Sequence, residues 1–571
     1  MSDIFFLVLR RLRTPLILLI AVYAIATFGM TLIPGVDPNG QVWKMSFFHA
    51  FYFVSFMGTT IGFGEIPYPF TDTQRAWVLV CIYTSVIAWL YAIGNMLRLL
   101  QDETFQNALA RGVFERSIRR IDETFYIICG YGATGALINR GLSELSLQTV
   151  IIDNNADKTR SLELQDFARV PIVLNADATE PESLLAAGIN NPHCGGIIAV
   201  THNDHTNLQV AVGSKLLKPQ IRVICRSEIE DEAENMASFG TDDIINPFLT
   251  FARRLNLLTH KPLLHRVQNW FINQHSVEHI ANEISRQGLP KGHWVLCGYG
   301  RLGKAIEARF NSKLDNEDVK LVVVDIDPLE SDAPISAIQG RGTEAKTLIE
   351  AGIKEASVVI AASNDDANNL SVLITAKQLN KKLVTIGRVS KEANHSLFVK
   401  AKCDYIMRRS QVVANEVLTL ISRPLVTNFV RYSSSLNRDD TEQLINQVNH
   451  LTGNTPPVTY RLILDDENAP ALASHIKSGR PLTIADITHN DLLPKADCIP
   501  LLLQRNSLSE LLPKGEHTLE LGDELLVCMK RDGTNLMQHM NHNEELIDSL
   551  INNNRHHIPL LRWMTRSKQT Q

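Results

Sequence analysis

The stretch Thr59-Thr60-Ile61-Gly62-Phe63-Gly64-Glu65 sets two glycines at alternating positions within an apolar region. Glycine admits φ values that other residues resist, so the carbonyls of Thr60, Ile61, Gly62 and Phe63 can turn to one side. Four copies around an axis would stack oxygen rings that replace a potassium ion's hydration shell, with the Thr60 hydroxyl as a further ring at the inner end. Gly64 closes this strip. An isolated Gly-Phe-Gly can also be a turn, so its surroundings decide between the readings.

A second pattern occurs twice. Gly130, Gly132 and Gly135 form one GxGxxG, with Ala133 and Thr134 inside it; Gly298, Gly300 and Gly303 form another, with Arg301 inside it. Each follows an apolar run, opens a helical stretch, and precedes an acid, Asp153 or Asp325, that ends the next β-branched run. Glycines there let backbone amides approach phosphates, a helix N-terminus favours the anion, and the acid binds ribose hydroxyls. Those acids oppose a 2′-phosphate, which argues for an NAD-like dinucleotide or an adenine nucleotide over NADP. The alternative is a pair of Rossmann shells that have lost their ligand.

These groups need elements to hold them. Residues 15–33 carry no charge and are just long enough to cross a hydrocarbon core of roughly 30 Å. Arg10, Arg11 and Arg13 precede that run, while Arg98, Arg111 and Arg116 follow a second apolar run at 76–97. By the positive-inside rule both termini are then cytoplasmic. The N-terminal run lacks a clear cleavage site and has a second span after it, unlike a signal peptide. Between the spans, 42–70 is too apolar for an ordinary external loop and too short to cross and return. A re-entrant segment is expected, a short helix over 43–57 and then extended backbone lining a water-filled path.

The remainder reads as soluble α/β protein. Its first copy contains YIICGYGATG, TVIIDNN, NADATEPESLLAAGI, GIIAVTHNDHTNL and IRVICRSE; its second contains WVLCGYGRLG, LVVVDIDP, GRGTEAKTLIEAGI, VVIAASNDDANNL and LVTIGRVS. Two copies offset by a domain length predict two doubly wound parallel sheets. The expected division is a pore domain at 1–100, a linker at 101–123, a first lobe at 124–250 and a helical crossover at 251–291. A second lobe at 292–415, a helical linker at 416–457, a small α+β subdomain at 458–530 and a tail at 531–571 follow. The net charge of −5 gives no field for nucleic acid. Eight scattered cysteines without CxxC suit a reducing cytosol and no disulfide framework.

Thr60 to Gly64 resembles the TVGYG signature of potassium channels, with Ile61 for Val, Phe63 for Tyr, and Glu65 where Asp usually follows. No arginine-studded voltage-sensor helix precedes it. The repeat resembles the RCK domain, the regulator of potassium conductance, over 124–250 and 292–415, and 458–530 is similar to its small C-terminal subdomain. The resemblance implies a bacterial inner-membrane homotetramer gated by a cytosolic ring of lobes, with NAD(H) or an adenine nucleotide as regulator. It also implies roles for single residues. Asp177 matches a position reaching toward the adenine side, where the second copy has Arg341. Arg301 matches a position that often serves nucleotide phosphates, where the first copy has Ala133. Calcium-gated members carry two acids where this chain has Arg226 and Glu228, so Glu228 alone remains as a metal candidate.

Two rival readings belong to other classes. A membrane-anchored NAD-dependent oxidoreductase needs a placed acid or base, and His193, His202 and His205 lack matched partners in sequence. A regulatory subunit of a potassium uptake transporter suits the repeat but leaves the strip between two spans unexplained.

Overall fold

The computed structural model describes residues 2–162, 165–272, 280–311, 318–453, 457–488, 497–506 and 508–551. His556 and His557 of the expected tail lie outside them. The chain forms two compact units, 1–121 and 122–571.

In the first unit, Leu12–Leu32 and Asp72–Leu100 are helices long and apolar enough to cross a membrane. A shorter apolar helix, Phe47–Gly58, lies between them in sequence. It begins four residues later than the expected 43, because Val42 and Trp43 pair with Gly35 and Val36 as a small antiparallel ladder. Ser46 then caps it by accepting from the His49 amide. A capping box between Thr71 and Gln74 starts the long second helix. Ala26, Met30, Ala50, Phe53, Val54, Phe56 and Cys81 form a common core. Gly29 leaves no space for a Cβ against the Trp77 ring, so that ring lies directly on the first helix's backbone. The stretch expected as a linker is largely the helix Glu103–Arg119.

In the second unit, the first lobe is a six-stranded parallel sheet in sequence order 3-2-1-4-5-6. Its strands are Phe125–Cys129, Gln148–Asp153, Ile172–Asn175, Cys194–Ala199, Val223–Arg226 and Asp243–Ile245. The second lobe repeats that order, from Gly292–Cys297 to Tyr405–Arg408. Such a doubly wound order opens a crevice at the carboxyl ends of the first and fourth strands, where the winding reverses.

The helix that leaves each sheet crosses to the other lobe. Pro247–His260 follows the first sheet but buries Phe248, Phe251 and Leu255 with Trp294, Leu302 and Phe310 of the second. Arg409–Ser422 follows the second sheet but buries Val413, Val417 and Leu418 with Ile128, Ile138 and Leu142 of the first. An ion pair of 2.9 Å between Arg254 and Glu416 joins the two crossing helices.

The C-terminal part is a four-stranded antiparallel sheet in the order 458–463, 524–529, 498–505, 508–511. The core of this sheet takes in residues past the boundary expected at 530. Met537, Met540, Leu546 and Ile547, from helices Arg531–Asn541 and Glu544–Ile551, share a core with Leu462, Leu503 and Val527 of the sheet.

Candidate functional site

The strip at 60–64 follows directly from the end of the helix Phe47–Gly58. The amides of Thr60 and Ile61 donate to Met57 O (3.1 Å) and Phe56 O (3.0 Å). Positive φ then falls on every second residue: Thr60 at 61°, Gly62 at 69° and Gly64 at 89°. Ile61 and Phe63 between them are not in that region, an alternation that allows successive carbonyls to turn the same way. Thr60 has a Cβ, and a non-glycine residue there costs on the order of 1–3 kcal/mol, a strain typical of functional segments. The Phe63 ring meets Phe56 edge to face at 5.4 Å.

Glu65 stands at the C-terminal end of the strip. Its carboxylate accepts from Arg75 through Nε at 2.8 Å and Nη2 at 3.2 Å, and from the Phe70 amide at 2.8 Å. Nothing in the sequence marked Arg75 as part of this arrangement, since a ten-residue separation across irregular backbone has no period.

In the first lobe, Gly130 has φ of 100°, and a Cβ on it would lie 2.9 Å from the Thr201 Cα. Gly135 packs directly on the Gly130 carbonyl. Gly132 has open space where a Cβ would be and caps the helix Ala133–Glu144, so its backbone is accessible to a ligand. Thr134 is buried in that helix's first turn. The second lobe repeats each feature: Gly298 at φ 101°, Gly303 on the Gly298 carbonyl, and Gly300 open at the start of Arg301–Phe310.

Asp153 accepts from the Tyr131 amide at 2.6 Å and the Asn155 amide at 2.8 Å. Asp325 does the same with Tyr299 (2.7 Å) and Asp327 (3.1 Å). Each acid therefore shapes its glycine loop and retains lone pairs for a ribose hydroxyl. Asp177 is exposed and accepts from the Thr179 amide (2.9 Å) and hydroxyl (2.7 Å), so it caps a local turn.

The stretches THNDHTN and SNDDANN, which follow the fourth strand of each lobe, each end in an asparagine that ties two strands together. Asn207 accepts from the Thr201 amide (2.9 Å) and donates to Arg226 O (3.0 Å), clasping the fourth strand to the fifth. Asn369 does so with Ser363 (3.1 Å) and Arg388 O (2.9 Å).

Glu228, the metal candidate, is held by cations in this structure. Its side chain is 1% exposed, and Arg226 (2.5 Å), Arg301 (2.6 Å) and Arg409 (3.0 Å) surround it. Three guanidiniums on one carboxylate satisfy its charge and repel a cation. Among the described residues no group of three or more His, Cys, Asp or Glu is placed to hold a metal ion. Arg301 thus turns across the seam between the lobes, its Cζ 5.6 Å from the centre of the Phe248 ring. Arg388 lies 4.9 Å over the same ring, and burial, with Arg409 adding to it, pulls its guanidinium down to about 10. All eight cysteines are free and buried, and burial pushes the Cys225 and Cys297 thiols up to about 12.

The ion-channel family matches residues 17–102, and the TrkA-N domain family matches 126–247 and again 294–409. Potassium channel protein 1 of Methanocaldococcus jannaschii is 27% identical over 203 residues, covering 36% of this chain and 59% of that protein. Probable potassium channel protein 2 of the same organism is 23% identical over 247 residues, covering 43% of this chain and 67% of that protein. The first alignment thus spans less than two thirds of that relative's length. A solved structure of the GsuK channel covers 97% of this chain at 17% identity, with a TM-score of 0.48. The chain is an ion-channel domain joined to two TrkA-N domains.

Proposed function

We propose that this chain is the subunit of a ligand-gated, potassium-selective channel of the bacterial inner membrane, with both termini cytoplasmic and no catalytic role. The observation that carries the reading is the alternation of positive φ at Thr60, Gly62 and Gly64. The strip stands between two helices long and apolar enough to cross a membrane. Four such strips are needed to close oxygen rings around an ion, so the working unit is a homotetramer. The two lobes serve as its regulatory sensors. Gly130, Gly132, Ala133, Thr134, Gly135 and Asp153 would hold an NAD-like dinucleotide or an adenine nucleotide in the first. Gly298, Gly300, Gly303 and Asp325, with Arg301, would hold a more phosphate-weighted ligand in the second. A bound nucleotide shifts gating only by the difference in its affinity for the open and closed arrangements.

The test is single-channel recording of reconstituted protein with NAD, NADH, ADP or ATP added on the cytoplasmic side, repeated on Asp153→Ala and Asp325→Ala. Potassium current with little sodium current, altered by a nucleotide and less so in one variant, supports the reading. Absence of selective current under every nucleotide would sink it.

A further inference from the structure

Resting on the reading of the second glycine loop as a phosphate site, we propose that Glu228 competes with a ligand's phosphate for Arg301, and so couples the two loops. The contacts run without a break. Gly130 sits against Thr201; Thr201 O accepts from Arg226 Nη1 at 2.8 Å; Arg226 Nη2 reaches Glu228 Oε1 at 2.5 Å. On the far side, Arg301 Nη1 lies 2.6 Å from Glu228 Oε2. Arg301 is the residue after Gly300, at the first position of the second loop's helix.

The two ends of that last contact differ in freedom. The Glu228 side chain is 1% exposed and that of Arg301 is 48% exposed. Glu228 Oε2 makes no well-angled hydrogen bond, so the link to Arg301 is chiefly coulombic. Glu228 keeps Arg226 and Arg409 when Arg301 leaves. Donors here exceed acceptors: the buried Nε atoms of Arg226 and Arg388 have no hydrogen-bond partner. The other carboxylates beside the cluster, Asp204 and Asp366, accept backbone amides at 2.6 Å and 2.7 Å. A phosphate on the second loop can therefore draw Arg301 from the seam, exchanging one ion pair for another and loosening the hold of the second lobe on the first.

The experiment is calorimetric titration of the detergent-purified full chain with ADP and with inorganic pyrophosphate. Glu228→Gln should tighten binding about fivefold, within the range of ordinary coupling between sites. Arg409→Gln, which leaves Glu228 fewer partners and a firmer grip on Arg301, should weaken it. Arg301→Ala should weaken it and abolish the effect of Glu228→Gln. Should Glu228→Gln fail to fold, the sign of the Arg409→Gln change still decides. Binding that ignores Glu228→Gln, or that tightens in Arg409→Gln, overturns the coupling alone. No binding of either probe to any form overturns the phosphate reading of the loop, and the coupling with it.

Discussion

Arg75, in the first turn of the second long helix, grips Glu65 at the C-terminal end of the glycine strip through two nitrogens, while Phe70 donates its amide to the same carboxylate. Phe63 lacks the hydroxyl that a tyrosine there would offer as a brace, and this bidentate pair supplies an anchor from another direction. Glu65→Gln is expected to lower the potassium-to-sodium permeability ratio several-fold. The reversed pair Glu65→Arg with Arg75→Glu should recover part of it. Bilayer recordings in mixed salt measure both, and an unchanged ratio in Glu65→Gln would remove the pair from any positioning role.

The glycines of one loop are expected to separate structural from ligand-binding effects. Gly135→Ala places a methyl group on the Gly130 carbonyl and should cost about 1–3 kcal/mol. Gly132→Ala meets open space, so its melting curve should match the parent's while nucleotide affinity falls. Denaturation and titration on the same two proteins give the comparison.

His265 predicts an acid sensitivity. Burial, with the nearby Arg254 charge adding to it, lowers its imidazole from 6.5 to about 3. Between those values the unfolded chain takes up a proton that the folded chain refuses, so stability falls as pH drops below about 6.5. At pH 5 the loss is about 2 kcal/mol. His265→Leu should flatten that part of the stability profile, read by chemical denaturation from pH 7.5 to 5.

Phe251 follows the first sheet in sequence but lies in the core of the second lobe. Phe251→Ala should cost about 3–5 kcal/mol. The loss should appear as faster hydrogen exchange in the strand Gly292–Cys297, with less change in Phe125–Cys129. Faster exchange in the first lobe's strand alone would contradict the exchange of helices.

Much of this was legible in the residues. Strands ending in Cys129 and Cys297 are apolar runs, each closed by a positive φ that favours glycine, and each is followed by an acid that ends the next strand. Period and turn chemistry are local, so they can be read locally. Met537, Met540, Leu546 and Ile547 had helical spacing too, yet that pattern tells only that a face is buried, not which sheet covers it. The same blindness hid the partners of Val417 and Leu418. Glu228 and Arg301 are 73 positions apart and meet only because two copies fold against each other. A carboxylate read by itself looked like an ion site until three arginines gathered around it.

The exchange of terminal helices also sets the order in which the chain can close during synthesis. The first lobe's last strand ends at Ile245, but the side chains completing its core begin at Val413. At roughly 5–20 residues per second, the ribosome needs on the order of ten seconds or more to supply them. Through that interval the apolar face around Ile138 and Leu142 lacks the cover that Val413, Val417 and Leu418 give it. A nascent first lobe is thus a half-finished surface awaiting a distant part of its own chain, and both lobes must mature as one event.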